Sequence, residues 1–272
     1  MKIILLLLSV LMLFIGCKKD KTSAREFYLS KSFRNGLLQK EFVYSSDKKP
    51  LRKNNYSTNL GQSTFSGFRL YQYGGNGLLN EVMDFNDNSQ LSSKYTLEYD
   101  VNGSLTRLDD RAADDDHVQY YYLFSYNAEG KMSKYALYNA NGNKKNIEAT
   151  LSYDAAGNPV KMIRMSFLNP APTLYDSTTY SFDKKLPSHW NYYEIIPVIG
   201  LSIGEDLFTN MICTGSYRYY VDAPPAKTDK ALSNKIYNGD GYLIKQNITT
   251  KGEYIGPATI TNEEMTYEYV EL

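Results

Sequence analysis

The sequence predicts an all-β protein, an antiparallel meander of about 14–16 strands that curls into an open or closed barrel-like sheet. Three observations predict it. The 272 residues include 26 Tyr and 11 Phe but 1 Trp, and aromatic side chains suit a pleated, half-buried surface. Short segments of alternating character recur along the chain, and so does one turn motif. A net charge of 0, with 30 Lys+Arg and 30 Asp+Glu, disfavours a nucleic-acid binder.

The segments between turns alternate as half-buried strands do. Tyr95, Leu97 and Tyr99 occupy one face of such a segment, with Thr96 and Glu98 on the other. The aromatic face must be covered by other residues, so we expect the sheet to curl on itself.

The turn motif consists of an aromatic residue, a small polar residue, two variable positions and Gly, with an apolar residue close behind. Successive tyrosines in the first four copies are 26, 27 and 27 residues apart. This regularity is typical of an internal repeat, here a hairpin. The residues that define the turns are Tyr73 with Gly77; Tyr99, Asp100 and Gly103; Tyr126 and Gly130; Tyr153, Asp154 and Gly157; and Tyr237 and Gly241.

Each position of the motif has a physical role. An Asp or Asn that opens the loop can accept hydrogen bonds from backbone N–H groups ahead of it, and Gly can adopt the positive φ that closes the loop. Weaker copies follow Tyr44 and Phe182, where the Gly is missing.

The repeat resembles the YD repeat of Rhs-type bacterial surface and toxin-delivery proteins, over roughly residues 40–190 and 232–245. With the amino-terminal features described next, the chain is similar to a family of small Gram-negative lipoproteins of unknown function with a porin-like β fold. The resemblance implies a hairpin scaffold and no particular activity.

The amino terminus is typical of an exported lipoprotein. An apolar run from Ile3 to Ile15 is too short for a membrane-spanning helix but fits a secretory signal. Residues 14–17, Phe-Ile-Gly-Cys, resemble a lipobox, which implies lipidation of Cys17 and attachment to a membrane, and we expect that membrane to be the outer membrane. We therefore expect a signal peptide over 1–16, a polar tether over 17–25 and one β domain over 26–272.

Two features leave the architecture open. Residues 195–212 are interrupted by Pro197 and Gly200, and they could form a short irregular or helical segment packed inside or against the sheet. A membrane-spanning porin is the alternative to a water-exposed sheet, because alternating strands rich in aromatic residues are also its signature. Lysines within the strands and a mean hydropathy of −0.46 disfavour that alternative.

The sequence predicts no catalytic residues, no metal site and no cofactor. It contains no nucleophile-elbow Ser, no phosphate-binding Gly loop and no Cys/His metal spacing. The densest acidic clusters, residues 109–117 and 84–88, could hold a divalent cation weakly, but their spacing matches no Ca²⁺ loop and a solvated hairpin tip explains them better.

A binding role is the favoured function. Trp190, Tyr192 and Tyr193 form a segment that could stack on a sugar ring or a peptide, although packing of Trp190 in a core, with Tyr192 beside it on a strand, explains the segment better. We expect a membrane-anchored, non-enzymatic β scaffold that binds another macromolecule. The alternatives are a glycan-binding accessory protein of a polysaccharide-uptake system and, further away, a hydrolase.

Overall fold

The computed structural model describes residues 27–155, 157, 159–182, 213–220, 227–253 and 259–272. Within these ranges there are sixteen β-strands, and no helix there is both long and apolar enough to cross a membrane. The strands are β1 Phe27–Arg34, β2 Leu37–Tyr44, β3 Pro50–Asn59, β4 Gln62–Tyr73, β5 Leu79–Asn86, β6 Leu91–Tyr99, β7 Leu105–Arg111, β8 Val118–Tyr126, β9 Met132–Asn139, β10 Lys144–Tyr153, β11 Pro159–Ser166, β12 Thr173–Phe182, β13 Cys213–Tyr220, β14 Lys227–Tyr237, β15 Leu243–Glu253 and β16 Thr259–Glu271.

The strands form one antiparallel meander, as the sequence predicted, in which every strand pairs with its neighbours in the chain. The predicted sheet could be open or closed, and the observed one is a closed barrel because β1 pairs with β16. That seam runs from Phe27 opposite Glu271 to Arg34 opposite Met265. Beyond it, the Asn35 N–H donates to the Glu264 carbonyl at 2.7 Å, and the Asn35 Oδ1 accepts from the Glu264 N–H at 2.8 Å.

The inward face of the sheet carries most of the buried side chains. One apolar cluster centres on β4–β11, where Leu108 and Ala149 are fully buried, and a second lies around β1, β2, β15 and β16. Half-buried tyrosines, including Tyr95 and Tyr122, pack against the first cluster. The aromatic face therefore turns inward, as the alternation of the strands predicted.

The barrel has two ends of different construction. The motif turns at 45–49, 74–78, 100–104, 127–131 and 238–242 lie at one end, here called the repeat-loop end. The turns within each hairpin, such as 35–36 and 60–61, lie at the other, the hairpin end. The chain enters β1 at the repeat-loop end, since the first residues of β1 lie beside Tyr44, the last residue of β2.

One hairpin extends past its neighbours. The pairing of β2 with β3 ends at Lys40 opposite Asn55, and the pairing of β4 with β5 ends at Gly67 opposite Asn86. Residues 56–66 continue as a two-stranded arm at the hairpin end, in which Asn59 pairs with Gln62. We refer to residues 56–66 as the arm.

Candidate functional site

The repeat tyrosines form a row of hydrogen bonds at the repeat-loop end. Each stands at the end of an even-numbered strand, and its hydroxyl donates to a backbone carbonyl near the start of the preceding strand. The donor–acceptor distances are 2.7–2.9 Å in six hairpins: Tyr44 to Leu29, Tyr73 to Pro50, Tyr99 to Leu79, Tyr126 to Leu105, Tyr153 to Met132 and Tyr269 to Leu243. The motif tyrosine therefore ties the two strands of its own hairpin together.

Tyr269 is a member of this row that sequence reasoning missed. The residues that follow Tyr269 in the sequence contain no Asp-x-x-Gly turn, so the repeat motif does not mark it. The spacing of 32 residues from Tyr237 to Tyr269 was the one available signal.

The turns that follow the tyrosines share one geometry. The Asp100 Oδ1 accepts from the N–H groups of Asn102 at 2.9 Å and Ser104 at 2.8 Å, and the Gly103 N–H donates to the Asp100 carbonyl. Asn127 and Asn238 make the same contacts in their turns. The motif glycines Gly77, Gly103, Gly130, Gly157 and Gly241 all have φ between +74° and +89°.

Substituting a motif tyrosine by phenylalanine should weaken the barrel by a predictable amount. Tyr99→Phe removes the hydroxyl and leaves the Leu79 carbonyl without its side-chain donor, so we expect a loss of about 1 kcal/mol. Combining it with Tyr153→Phe, in a separate hairpin, should cost about 2 kcal/mol if the two sites are independent. Urea denaturation midpoints measure both effects.

Tyr120→Phe is the matched control, because Tyr120 lies in β8 with an exposed side chain. A control that destabilises the barrel as much as Tyr99→Phe would contradict the assigned role of the hydroxyl.

A second cluster, which the sequence did not reveal, is polar and lies inside the barrel. Lys53 on β3 is opposite Arg69 on β4, and Arg69 is opposite Asp84 on β5. The Arg69 Nε and Nη2 donate to the two carboxylate oxygens of Asp84 at 2.6 and 2.5 Å. Lys53 is 1% exposed. Charged residues therefore occupy inward positions between the apolar clusters.

The electrostatics of this cluster follow from its burial. Burial, with the nearby charges of Arg69 and Lys40, lowers the pKa of Lys53 well below its usual value. Burial opposes the charge of Arg69, but the hydrogen bonds and charge of Asp84 raise the pKa of its guanidinium above the usual value. Burial and the charge of Asp84 raise the pKa of Asp110 on β7.

The polar cluster continues along the inner wall through tyrosines to a second ion pair. Burial raises the pKa of Tyr95, and it raises that of Tyr122 to about 12, with Asp110 contributing in both cases. Farther along, Arg164 on β11 donates through Nε at 2.8 Å, and also through Nη2, to Asp176 on β12. Asp176 is 0% exposed, so the pair is excluded from water on the carboxylate side.

The two acidic segments noted in the sequence, 84–88 and 109–117, lie in different surroundings in the structure. Asp84 points inward to Arg69, whereas the Asn86 Oδ1 accepts from Asn88 and Gln90 N–H groups in the β5–β6 turn, so the 84–88 segment makes no common oxygen site. In the other cluster, the ligand atoms of Asp114, Asp115 and His117 lie within 4.8 Å of one another on an exposed tip.

Cations from the protein already face much of that second acidic loop. Asp116 forms ion pairs with Lys94 at 3.3 Å and with Arg111 at 3.7 Å, and Arg111 also forms an ion pair with Asp109. Hydrogen bonds from His117 lower the pKa of Asp115. The loop is thus held largely by internal charge pairing.

The outer face of the barrel carries ion pairs in the middle of its strands. Lys134 and Lys145 share the carboxylate of Glu148, at 3.1 and 2.8 Å. Lys94 contacts Glu81 at 3.1 Å, and a further pair links Lys245 to Glu264 on β15 and β16. These charges alternate with inward apolar residues, which makes the outer surface of this part of the barrel polar.

Several residues singled out in the sequence lie outside the described ranges. They are Cys17, the aromatic segment with Trp190, Tyr192 and Tyr193, and the irregular segment 195–212. Lipidation at Cys17 and ligand stacking on Trp190 therefore stay predictions.

Comparison with known proteins supports the fold of this chain and indicates no activity. No family model and no curated protein matches the chain. Among solved structures, a porin-like protein from Bacteroides uniformis is similar, with 13% identity, a TM-score of 0.52 and coverage of 85% of this chain and 89% of that one.

Two further structures show weaker similarity. A porin-like protein from Bacteroides vulgatus has 8% identity and a TM-score of 0.41, with 90% of this chain and 100% of that one covered. The Photorhabdus luminescens Tc holotoxin pore has 10% identity and a TM-score of 0.34; the match covers 86% of this chain and 12% of that one. The sixteen described strands and the similarity to the Bacteroides uniformis structure show an all-β protein with a porin-like fold.

Proposed function

We propose that this protein is an exported, lipid-anchored β scaffold that stands in water and binds another macromolecule without catalysing a reaction. The observation that carries the proposal is the polar outer face. Ion pairs such as Lys134–Glu148 lie in mid-strand, where a lipid-facing barrel would need apolar side chains.

The inner wall supports a structural role over a catalytic one. Hydrolysis of a glycosidic bond needs two carboxyl groups, one as acid and one as base or nucleophile, across a cleft. In the described interior, Asp84 and Asp176 are each bound by an arginine, and Asp110 is the carboxyl whose pKa burial raises. This arrangement gives one candidate acid and no second, unoccupied carboxylate beside it among the described residues.

The environment of the outer face can be tested by cysteine labelling. Thr150 is exposed on the outer face of β10, whereas its neighbour Ala149 is fully buried. In a Cys213→Ser background, we expect Thr150→Cys in permeabilised membranes to react with a charged maleimide before detergent is added. Ala149→Cys is the matched control and should react after unfolding in urea.

Protection of Thr150→Cys until detergent is added would overturn the proposal and favour the membrane-spanning porin. The two positions are adjacent in one strand and differ in the face of the sheet that they occupy.

The anchor is tested separately. Cys17→Ser removes the thiol that would receive the lipid, so we expect an unprocessed precursor that incorporates no labelled palmitate. Cys213→Ser should keep the label. Normal maturation of the Cys17→Ser protein would show that the chain is not a lipoprotein.

A further inference from the structure

The inner wall of the barrel carries a recess at the hairpin end, over β6, β7 and β8. The inward side chains of these strands become more exposed toward that end. On β8, Phe124 is buried, Tyr122 is half-buried and Tyr120 is 37% exposed. On β7, Leu108 is fully buried and Asp110 is half-buried. The recess is therefore open to solvent at the hairpin end and closed below by the apolar core.

Asp110 places a carboxyl group in this recess that lacks a counter-ion. Its direct cross-strand neighbours are Tyr95 on β6 and Tyr120 on β8. None of the described residues forms a hydrogen bond or an ion pair with this carboxyl group. The preceding residue, Asp109, is instead paired with Arg107 on the outer face. Polar groups removed from water are nearly always hydrogen-bonded, so an unpaired carboxyl here indicates a missing partner.

The electrostatics of the recess favour a positively charged partner. Burial, and after it the charge of Asp84, raises the pKa of Asp110, so the ionised carboxylate lacks compensation. The inner wall also carries Arg69 and Arg164, but these are already bound to Asp84 and Asp176. A cation that enters the recess therefore supplies the charge that Asp110 lacks.

Tyrosine rings surround the carboxyl group. The charge of Asp110 contributes to the raised pKa values of Tyr95 and Tyr122, which places it near both hydroxyls. Tyr95 already has the guanidinium of Arg69 over its ring, with Cζ 5.9 Å from the centroid. Tyr120 has no ring contact with a described residue, so its face is available. A carboxylate among aromatic rings is the chemistry that recognises ammonium groups.

We propose that this recess is a binding site for a primary ammonium group, such as the end of a lysine side chain on a protein partner. The ammonium donates a hydrogen bond to the Asp110 carboxylate and lies against the ring of Tyr120, and its alkyl chain leaves through the hairpin end. A primary ammonium carries the charge and the N–H donors that the carboxylate lacks. The inference rests on the binding role proposed above and adds the chemistry of the group that is bound.

Other occupants fit the recess less well. A Ca²⁺ ion takes about 6–8 oxygen ligands, whereas Asp110 is the one carboxyl group of this recess among the described residues that no arginine holds. An uncharged sugar gains nothing from the negative charge. Both are included as outcomes of the test.

The test compares two probes with the same alkyl chain, n-butylammonium and n-butanol, by saturation-transfer NMR on the full-length protein in detergent at neutral pH. We expect n-butylammonium to bind with an affinity about ten-fold or more above that of n-butanol, since a charge-assisted hydrogen bond contributes at least one such factor. Asp110→Asn should lower the affinity for n-butylammonium about ten-fold or more. Glu98→Gln is the matched control, because it removes one carboxylate from an exposed position on the outer face of β6.

Tyr120 provides a second variant that leaves the carboxyl group in place. Tyr120→Ala should lower the affinity for n-butylammonium by about three-fold, whereas Tyr120→Phe keeps the ring and should bind as the parent does. Melting temperatures separate binding from folding. The Asp110→Asn protein should melt at the parent's temperature or higher, because the carboxyl group that it loses has no partner and is repelled by Asp84.

Equal affinities for n-butylammonium and n-butanol would overturn the proposal, and so would binding of neither probe. An Asp110→Asn variant that binds n-butylammonium as well as its parent would also overturn it. Binding of glucose or Ca²⁺ in place of n-butylammonium would assign the recess to that ligand instead. These outcomes do not depend on Cys17 or on the exposure of Thr150, so the anchor and the outer face are judged separately.

Discussion

Gly67→Ala is expected to destabilise the barrel by about 3 kcal/mol or more, which lowers the melting temperature of a domain of this size by roughly 6–12 °C. Gly67 has φ +133°, and a Cβ there would lie 2.2 Å from the Phe85 carbonyl oxygen and 3.1 Å from the Asn86 Cα. Both contacts are with backbone, so relief requires β4 and β5 to separate where their pairing ends. Differential scanning calorimetry measures the shift.

Gly36→Ala is the matched control for conformational strain without a clash. Gly36 has φ +76°, and a Cβ there would meet nothing within 4 Å. Its cost should be about 1 kcal/mol, the penalty of a left-handed backbone for alanine. If Gly67→Ala is no more harmful than Gly36→Ala, the close approach of β4 to β5 is wrong.

Asp176→Asn is expected to cost about 3–5 kcal/mol, because it leaves the charge of Arg164 in the interior without its counter-ion. The carboxylate is fully buried and accepts two hydrogen bonds from one guanidinium, so loss of its charge is not compensated by water. Urea denaturation at low and high salt should give the same loss, since a buried pair is weakly screened.

The double variant Arg164→Met with Asp176→Leu distinguishes the pair from simple packing. Replacing both charges with apolar side chains of similar size is often close to neutral, so the double variant should be more stable than Asp176→Asn. The two side chains act independently if the double variant loses as much stability as the Arg164→Met and Asp176→Leu single variants lose together.

The repeat could be predicted because its information is local. Asp100 and Gly103 stand three residues apart in the chain and build one turn, so residue type and spacing are enough to predict their geometry. Alternation within each strand likewise predicts the inward aromatic face. The Tyr99 hydroxyl acts on a carbonyl 20 residues away, which the motif shows only once the hairpin register is known.

The inner ion pairs could not be predicted for the opposite reason. Arg69 and Asp84 are 15 residues apart, and Arg164 and Asp176 are 12 apart, on strands whose register is needed to bring them together. In an alternating strand, a charged residue is first assigned to the solvent face. Lys53 violates that rule because the barrel interior holds polar groups beside its apolar clusters.

Closure of the sheet was also beyond the sequence. The seam joins Phe27 on β1 to Glu271 on β16. These two strands are the farthest apart in the chain, and no turn motif or spacing connects them.

The direction of β1 bears on which end of the barrel would face a membrane. The chain enters the barrel at the repeat-loop end, and nine residues lie between Cys17 and Phe27, a reach of at most about 35 Å. If lipid is attached at Cys17, the repeat loops face the bilayer and the arm projects away from it.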